Sequence, residues 1–138
     1  MNSYTLLVPV DTNEDRAQAQ VEYVTSIPDA AASVRVILLY VYSTIDGADT
    51  GKERLRDHME RPDSVAVTQE QLAGRGISVE IYEKEGKIAE TIITVAGELQ
   101  PDGIVLAGRK RSPVGKAIFG SVTQKVILNA DYPVTVVN

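Results

Sequence analysis

The chain of 138 residues fits one domain, residues 1–138, and leaves little room for a second. A hydrophobic fraction of 43% supplies a core, 24% charged residues suit a soluble globular protein, and the net charge of -5 argues against nucleic acid as a partner, since that binding is driven by neutralising phosphates. The absence of cysteine excludes disulfides, thiolate catalysis and zinc–sulfur sites; with no signal-peptide pattern at the start and no apolar run of membrane-spanning length, the cytoplasm is the expected location and no membrane partner is expected.

Tyr4 to Val10 (YTLLVPV) reads as a first strand, nearly continuous in apolar character as strands covered on both faces are. Asn13 follows as the N-cap of a helix with Glu14 and Asp15 in its first turn and Ala17, Val21 and Val24 along its apolar stripe. Val34 to Tyr42 (VRVILLYVY) is a second continuous strand. Ser43 to Arg61 is polar, with Asp46, Gly47 and Asp49 early and Leu55 and Met59 later, and reads as a long loop that turns partly helical. Pro62 to Ala73 is a helix stopped by Gly74 and Gly76.

Ile77 to Tyr82 alternates, with Ile77, Val79 and Ile81 on one face, and reads as an edge strand; Glu83 and Glu85 beyond it read as surface. Ile88, Ile92, Val95 and Leu99 form the clearest helical stripe, stopped by Pro101. Ile104 to Ala107 is a fourth strand. Val122, Val126 and Ala130 mark a last helix that ends before Pro133, and Val134 to Val137 close the chain as a fifth strand. Strict alternation of strand and helix implies right-handed crossovers and a mostly parallel sheet with helices on both faces.

In such open sheets, ligands bind outside the carboxyl ends of the strands, where the winding direction reverses. Two loops are candidates: Pro9-Val10-Asp11-Thr12-Asn13 after the first strand, and the stretch from Gly108 to Thr123 after the fourth. The second holds Gly108, Gly115 and Gly120, the cations Arg109, Lys110, Arg111 and Lys116, and a hydroxyl at the start of a helix, Ser121. Glycines let backbone amides approach a phosphate, and a helix N-terminus offers unpaired N–H donors and partial positive charge. The pattern favours an anion site over a strand exit plus a helix cap. It is neither a Walker A loop nor a G-x-G-x-x-G dinucleotide fingerprint. Asp11 has two open readings: a carboxylate that meets ribose hydroxyls or helps hold a metal, or a turn and capping residue.

Little points to catalysis. His58, the only histidine, lies among Arg56, Asp57 and Glu60 and reads as a solvated residue. There is no G-x-S-x-G elbow and no ligand spacing for a dedicated metal cage.

LLVPVD at the start, VILLYV, Gly103 to Gly108 (GIVLAG), and Gly120-Ser121-Val122-Thr123 through Pro133-Val134 together resemble the universal stress protein family along essentially the whole chain. The resemblance implies an open five-stranded parallel sheet in the order 3-2-1-4-5, of the adenine nucleotide alpha hydrolase-like kind. It also implies a role in the stress response, with ATP bound at the reversal and Mg2+ or Mn2+ carried by the nucleotide. Pro9, Val10 and Asp11 would then line the adenine and ribose region, with Val41 on the base. Gly108, Arg109, Arg111, Gly120, Ser121 and Val122 would surround ribose and phosphates; for Val41 and Val122, core packing is the stronger reading of the residues themselves.

A homodimer through the last strand, Val134, Thr135, Val136 and Val137, is also implied. The chain departs from the family's ATP motif (Gly, two residues, Gly, nine residues, Gly, then Ser or Thr) at one point. Arg111 stands where the middle glycine belongs, and eight residues separate it from Gly120. Three readings result, in this order: a non-catalytic, homodimeric ATP-binding regulator; a stress-protein dimer that acts through protein contacts or another phosphate-bearing anion; and a small phosphohydrolase.

Overall fold

The computed structural model describes residues 4–43, 61–108 and 120–138. The expected loop around residues 44–60, with His58, lies outside the described residues, as do Arg109, Lys110, Arg111, Gly115 and Lys116. The order along the chain is β1 (Tyr4–Pro9), α1 (Glu14–Ser26), α2 (Ala30–Ser33), β2 (Val34–Ser43), α3 (Asp63–Gly74), β3 (Ser78–Gly86), α4 (Ile88–Leu99), β4 (Gly103–Ala107), α5 (Ser121–Asn129) and β5 (Val134–Val137).

The strands form a single sheet in the order β3-β2-β1-β4-β5, and every neighbouring pair is parallel. This is the expected fold class. The winding reverses between β1 and β4, which sit side by side although four helices and two strands of the described chain separate them.

Strand periodicity divides the core in two. Leu6, Val8, Val34, Val36, Leu38 and Tyr40 point to the face covered by α1 and α3, where Val21, Val24, Val65 and Leu72 meet them. Leu7, Ile37, Leu39, Val41, Ile104 and Leu106 point to the opposite face, against Ile92, Val95 and Val126 of α4 and α5. Ile92 is 1% exposed, so truncating it to alanine costs about 2–5 kcal/mol.

Asn13 caps α1 as expected, its side-chain oxygen accepting from the Arg16 amide at 2.8 Å, with Glu14 and Asp15 in the first turn. Pro62 is the N-cap of α3 rather than its first residue, and Gly76, at φ +79°, supplies the left-handed turn before β3. The buried stripe of α4 is Ala89, Ile92, Val95 and Ala96, while Ile88 and Leu99 pack at its margin. In α5, Thr123 and Val126 are buried and Val122 is partly so, as is Ala130 at the C-cap.

The edge strand β3 runs four residues beyond its alternating segment, because Tyr82 to Gly86 pair in register with Leu39 to Ser43. Glu83 is thus a paired strand residue, and its carboxylate accepts from the Tyr42 hydroxyl and from Arg61, each at 3.0 Å. Glu85 is paired in the same ladder with an exposed side chain.

Candidate functional site

Because β1 and β4 are parallel neighbours, their carboxyl ends lie on one rim of the sheet. The Val10–Asn13 turn leaves β1 there and Gly108 leaves β4 there. The crossover helix α5 begins on the same rim, since it must return to the amino end of the parallel strand β5. Asp11, Gly108, Gly120 and Ser121, far apart in sequence, therefore share one end of the sheet.

The rim opens into a fork. Pairing between β1 and β4 stops at Leu7↔Ile104, although β1 stays paired with β2 to Pro9↔Leu39 and β4 with β5 to Ala107↔Val137. Gln20 of α1, 1% exposed, reaches into the gap: its amide nitrogen donates to the Pro9 carbonyl at 2.6 Å and to the Val105 carbonyl at 3.0 Å. Gly108 is held on the far side, its amide donating to the Val137 carbonyl at 2.7 Å.

The Asp11 carboxylate shapes its own turn. One oxygen accepts from the Asn13 amide at 2.8 Å, and the other from Arg16 Nε at 2.8 Å. With 51% of the Asp11 side chain exposed, that ion pair contributes under about 1 kcal/mol. The turn reading is therefore realised, and a carboxylate with about four lone-pair sites retains acceptor capacity beyond these two bonds. The Asp11 backbone is pinned as well: its carbonyl accepts from the Ser64 hydroxyl of α3 at 2.5 Å. The Tyr40 phenol lies close enough to feel the Asp11 charge; burial first, and that negative charge second, push its pKa above the ordinary value of 10.0.

On the other side, Gly120 sits at φ +81°, ψ 162°, a region open essentially to glycine alone. It is the N-cap of α5 and provides no side-chain cap, so the first amides of that helix face the rim without a protein side chain from the cap position. Ser121, the first residue of the helix, is exposed. This arrangement suits an anion. Val41 is 7% exposed within the α4/α5 core, and Val122 packs against that same core, so both serve as core residues, the stronger reading of their sequence context. No group of three or more His, Cys, Asp or Glu side chains among the described residues is arranged to hold a metal ion. Among the described helices, none is long and apolar enough to cross a membrane.

Sequence reasoning missed Gln20, Ser64 and Tyr40. Gln20 left a signal, a polar residue three positions after Ala17 on the stripe that also holds Val21 and Val24. Ser64 left none, since its partner lies 53 residues away.

The chain is 28% identical over 137 residues to universal stress protein Sll1654 of Synechocystis sp., a match that covers 96% of this chain and 84% of that protein. Among solved structures, the universal stress protein from Archaeoglobus fulgidus in complex with dAMP has a TM-score of 0.69 at 21% identity, covering all of both chains. A universal stress protein in complex with cAMP has a TM-score of 0.66 at 17% identity, covering 100% of this chain and 98% of that one. The profile of the Universal stress protein family matches residues 4–138, and the chain belongs to that family.

Proposed function

We propose that the protein is a nucleotide-binding regulator of the stress response, with ATP as the first candidate ligand, and that it works by binding rather than turnover. One observation carries this reading: the Asp11 turn and the start of α5, whose cap residue offers no side chain, share the rim where β1 and β4 part. A sugar-binding acceptor and an anion-binding helix end at one crevice match the two halves of a nucleotide. Two structural neighbours are complexes with adenine nucleotides, dAMP and cAMP.

In this reading Pro9, Val10 and Asp11 meet base and ribose, Gly120, Ser121 and Val122 meet phosphate, and Arg109 and Arg111 add charge from their loop. A divalent ion, Mg2+ or Mn2+, arrives on the nucleotide. The protein works in the cytoplasm as a homodimer, with β5, the apolar one of the sheet's two edge strands, as the joining surface. The decisive experiment is mass spectrometry of small molecules released from gently purified protein, with calorimetry against ATP and Mg2+. Recovery of an adenine nucleotide supports the proposal, and no binding at millimolar ATP rejects it.

Arg111 at the motif's middle-glycine position favours a second reading, a dimer that holds another phosphate-bearing anion or acts through protein contacts. The same mass spectrum separates the two.

A further inference from the structure

Two backbone directions fix how β1 and β4 face each other beyond their last paired residues. The Val10 amide donates to Leu39 of β2 at 2.9 Å, so the Pro9 carbonyl, at the other end of that peptide, points toward β4. The Ile104 amide donates to Pro133 on the β5 side at 2.8 Å, so Val105, one residue on, presents its amide and carbonyl to β1. With Leu7 opposite Ile104, one more rung of the parallel ladder would run from the amide of residue 9 to the Val105 carbonyl. Residue 9 is proline and has no N–H.

The fork therefore has a covalent cause. Proline deletes the next donor, pairing stops, and the carbonyls of Pro9 and Val105 face one gap. Without a donor, the buried Val105 carbonyl and the partly buried Pro9 carbonyl would each be left unpaired away from bulk water. The primary amide of Gln20 has two hydrogens on one nitrogen, and it gives one to each. No other uncharged side chain of that length donates twice from one atom.

We propose that Gln20 is a positioning residue of the nucleotide crevice: bonded to both Pro9 and Val105, it sets the distance between the Asp11 turn and Gly108, and so the width a ligand meets. The inference rests on the nucleotide reading above. Asp11 lies two residues beyond one anchored carbonyl and Gly108 three beyond the other, so a change at the staple reaches both sides of the rim.

The test compares wild type, Gln20→Leu, Pro9→Ala and the double variant Pro9→Ala with Gln20→Leu, each titrated with ATP and Mg2+ by calorimetry and melted thermally. Gln20→Leu is expected to lower both melting temperature and affinity, the latter about tenfold or more. In the double variant, the restored amide of residue 9 can bond Val105 directly and close the fork. Stability should return while affinity stays below that of the Pro9→Ala single variant, which keeps Gln20 and accounts for any contact the proline ring makes with the ligand; a purely structural role does not give that split. Wild-type affinity in Gln20→Leu, or recovery of both quantities together, overturns the proposal. If Gln20→Leu does not fold, the double variant is compared with Pro9→Ala, with weaker binding than Pro9→Ala expected and equal binding overturning the proposal. If wild type itself binds no nucleotide, the functional reading fails, and Gln20 is judged by amide exchange. Gln20→Leu should speed exchange at Val10 and Gly108 relative to the remote Gln100 amide, and an unchanged ratio sinks the inference.

Discussion

Ser64 and Asp11 are joined by a hydrogen bond from the serine hydroxyl to the aspartate's backbone carbonyl, 2.5 Å long and spanning 53 residues of sequence. It ties the first turn of α3 to the turn that leaves β1. Ser64 is 2% exposed, so no water replaces it readily. Ser64→Ala should lower unfolding free energy by about 1–2 kcal/mol in urea denaturation and weaken ATP binding by loosening the turn. A variant as stable as wild type would show that the bond contributes nothing.

Gly120 and Gly97 should respond oppositely to alanine. Gly120 occupies φ +81°, where a Cβ is strained by about 1–3 kcal/mol, and its amide neighbours are the proposed phosphate donors. Gly120→Ala should cost stability in that range and reduce ATP affinity; Gly120→Val with Ser121→Ala should abolish binding. Gly97 lies within α4, and a Cβ there meets nothing within 4 Å. Gly97→Ala should add about 0.5–1 kcal/mol without touching affinity. Equal effects in chemical denaturation would contradict the backbone argument.

Alkaline pH should destabilise the fold through two tyrosines. Burial and the neighbouring Asp11 raise the pKa of Tyr40; burial, the hydrogen bond to Glu83 and the Glu83 charge raise that of Tyr42. Both shifts favour the neutral phenol in the folded state. Their contribution is complete below the ordinary value of 10.0 and is lost as pH rises through the higher folded values. Stability should therefore fall above about pH 10, and Tyr40→Phe should flatten that fall. Absorbance titration of phenolate in wild type and variant measures both.

The dimer proposal has a targeted probe. The Ile104 and Gly108 amides donate to the carbonyls of Pro133 and Val137, so the odd-numbered residues of β5 face β4 and Val136 turns its amide outward. Val136→Pro deletes an outward donor and leaves the β4–β5 ladder in place. Sedimentation should shift from dimer to monomer with the melting temperature little changed; a wild type that sediments as a monomer would remove the dimer altogether.

Most of the sheet was legible because Leu6 to Val8, Val36 to Val41 and Ile104 to Leu106 are apolar on both faces, a signature of central parallel strands. The short α2 was not, since Ala30–Ser33 is too brief for a period and begins after Asp29 in a left-handed conformation, φ 57°. The extension of β3 through Glu83 and Glu85 was hidden because it comes from pairing with β2 rather than from its own polar residues. At the site, Asp11 and Gly120 announced themselves by residue type, and the capping of Asn13 by its place before two acids. The meaning of Pro9 stayed invisible, because a missing N–H matters only once Val105 is known to stand opposite.

The bond from Gly108 to Val137 places the carboxyl end of β5 beside the crevice, while Tyr4 opens β1 on the opposite rim. A fluorophore attached after Val137 would therefore act as a local reporter of ligand arrival, whereas one attached ahead of Tyr4 would sit a strand's length away and serve as its silent control.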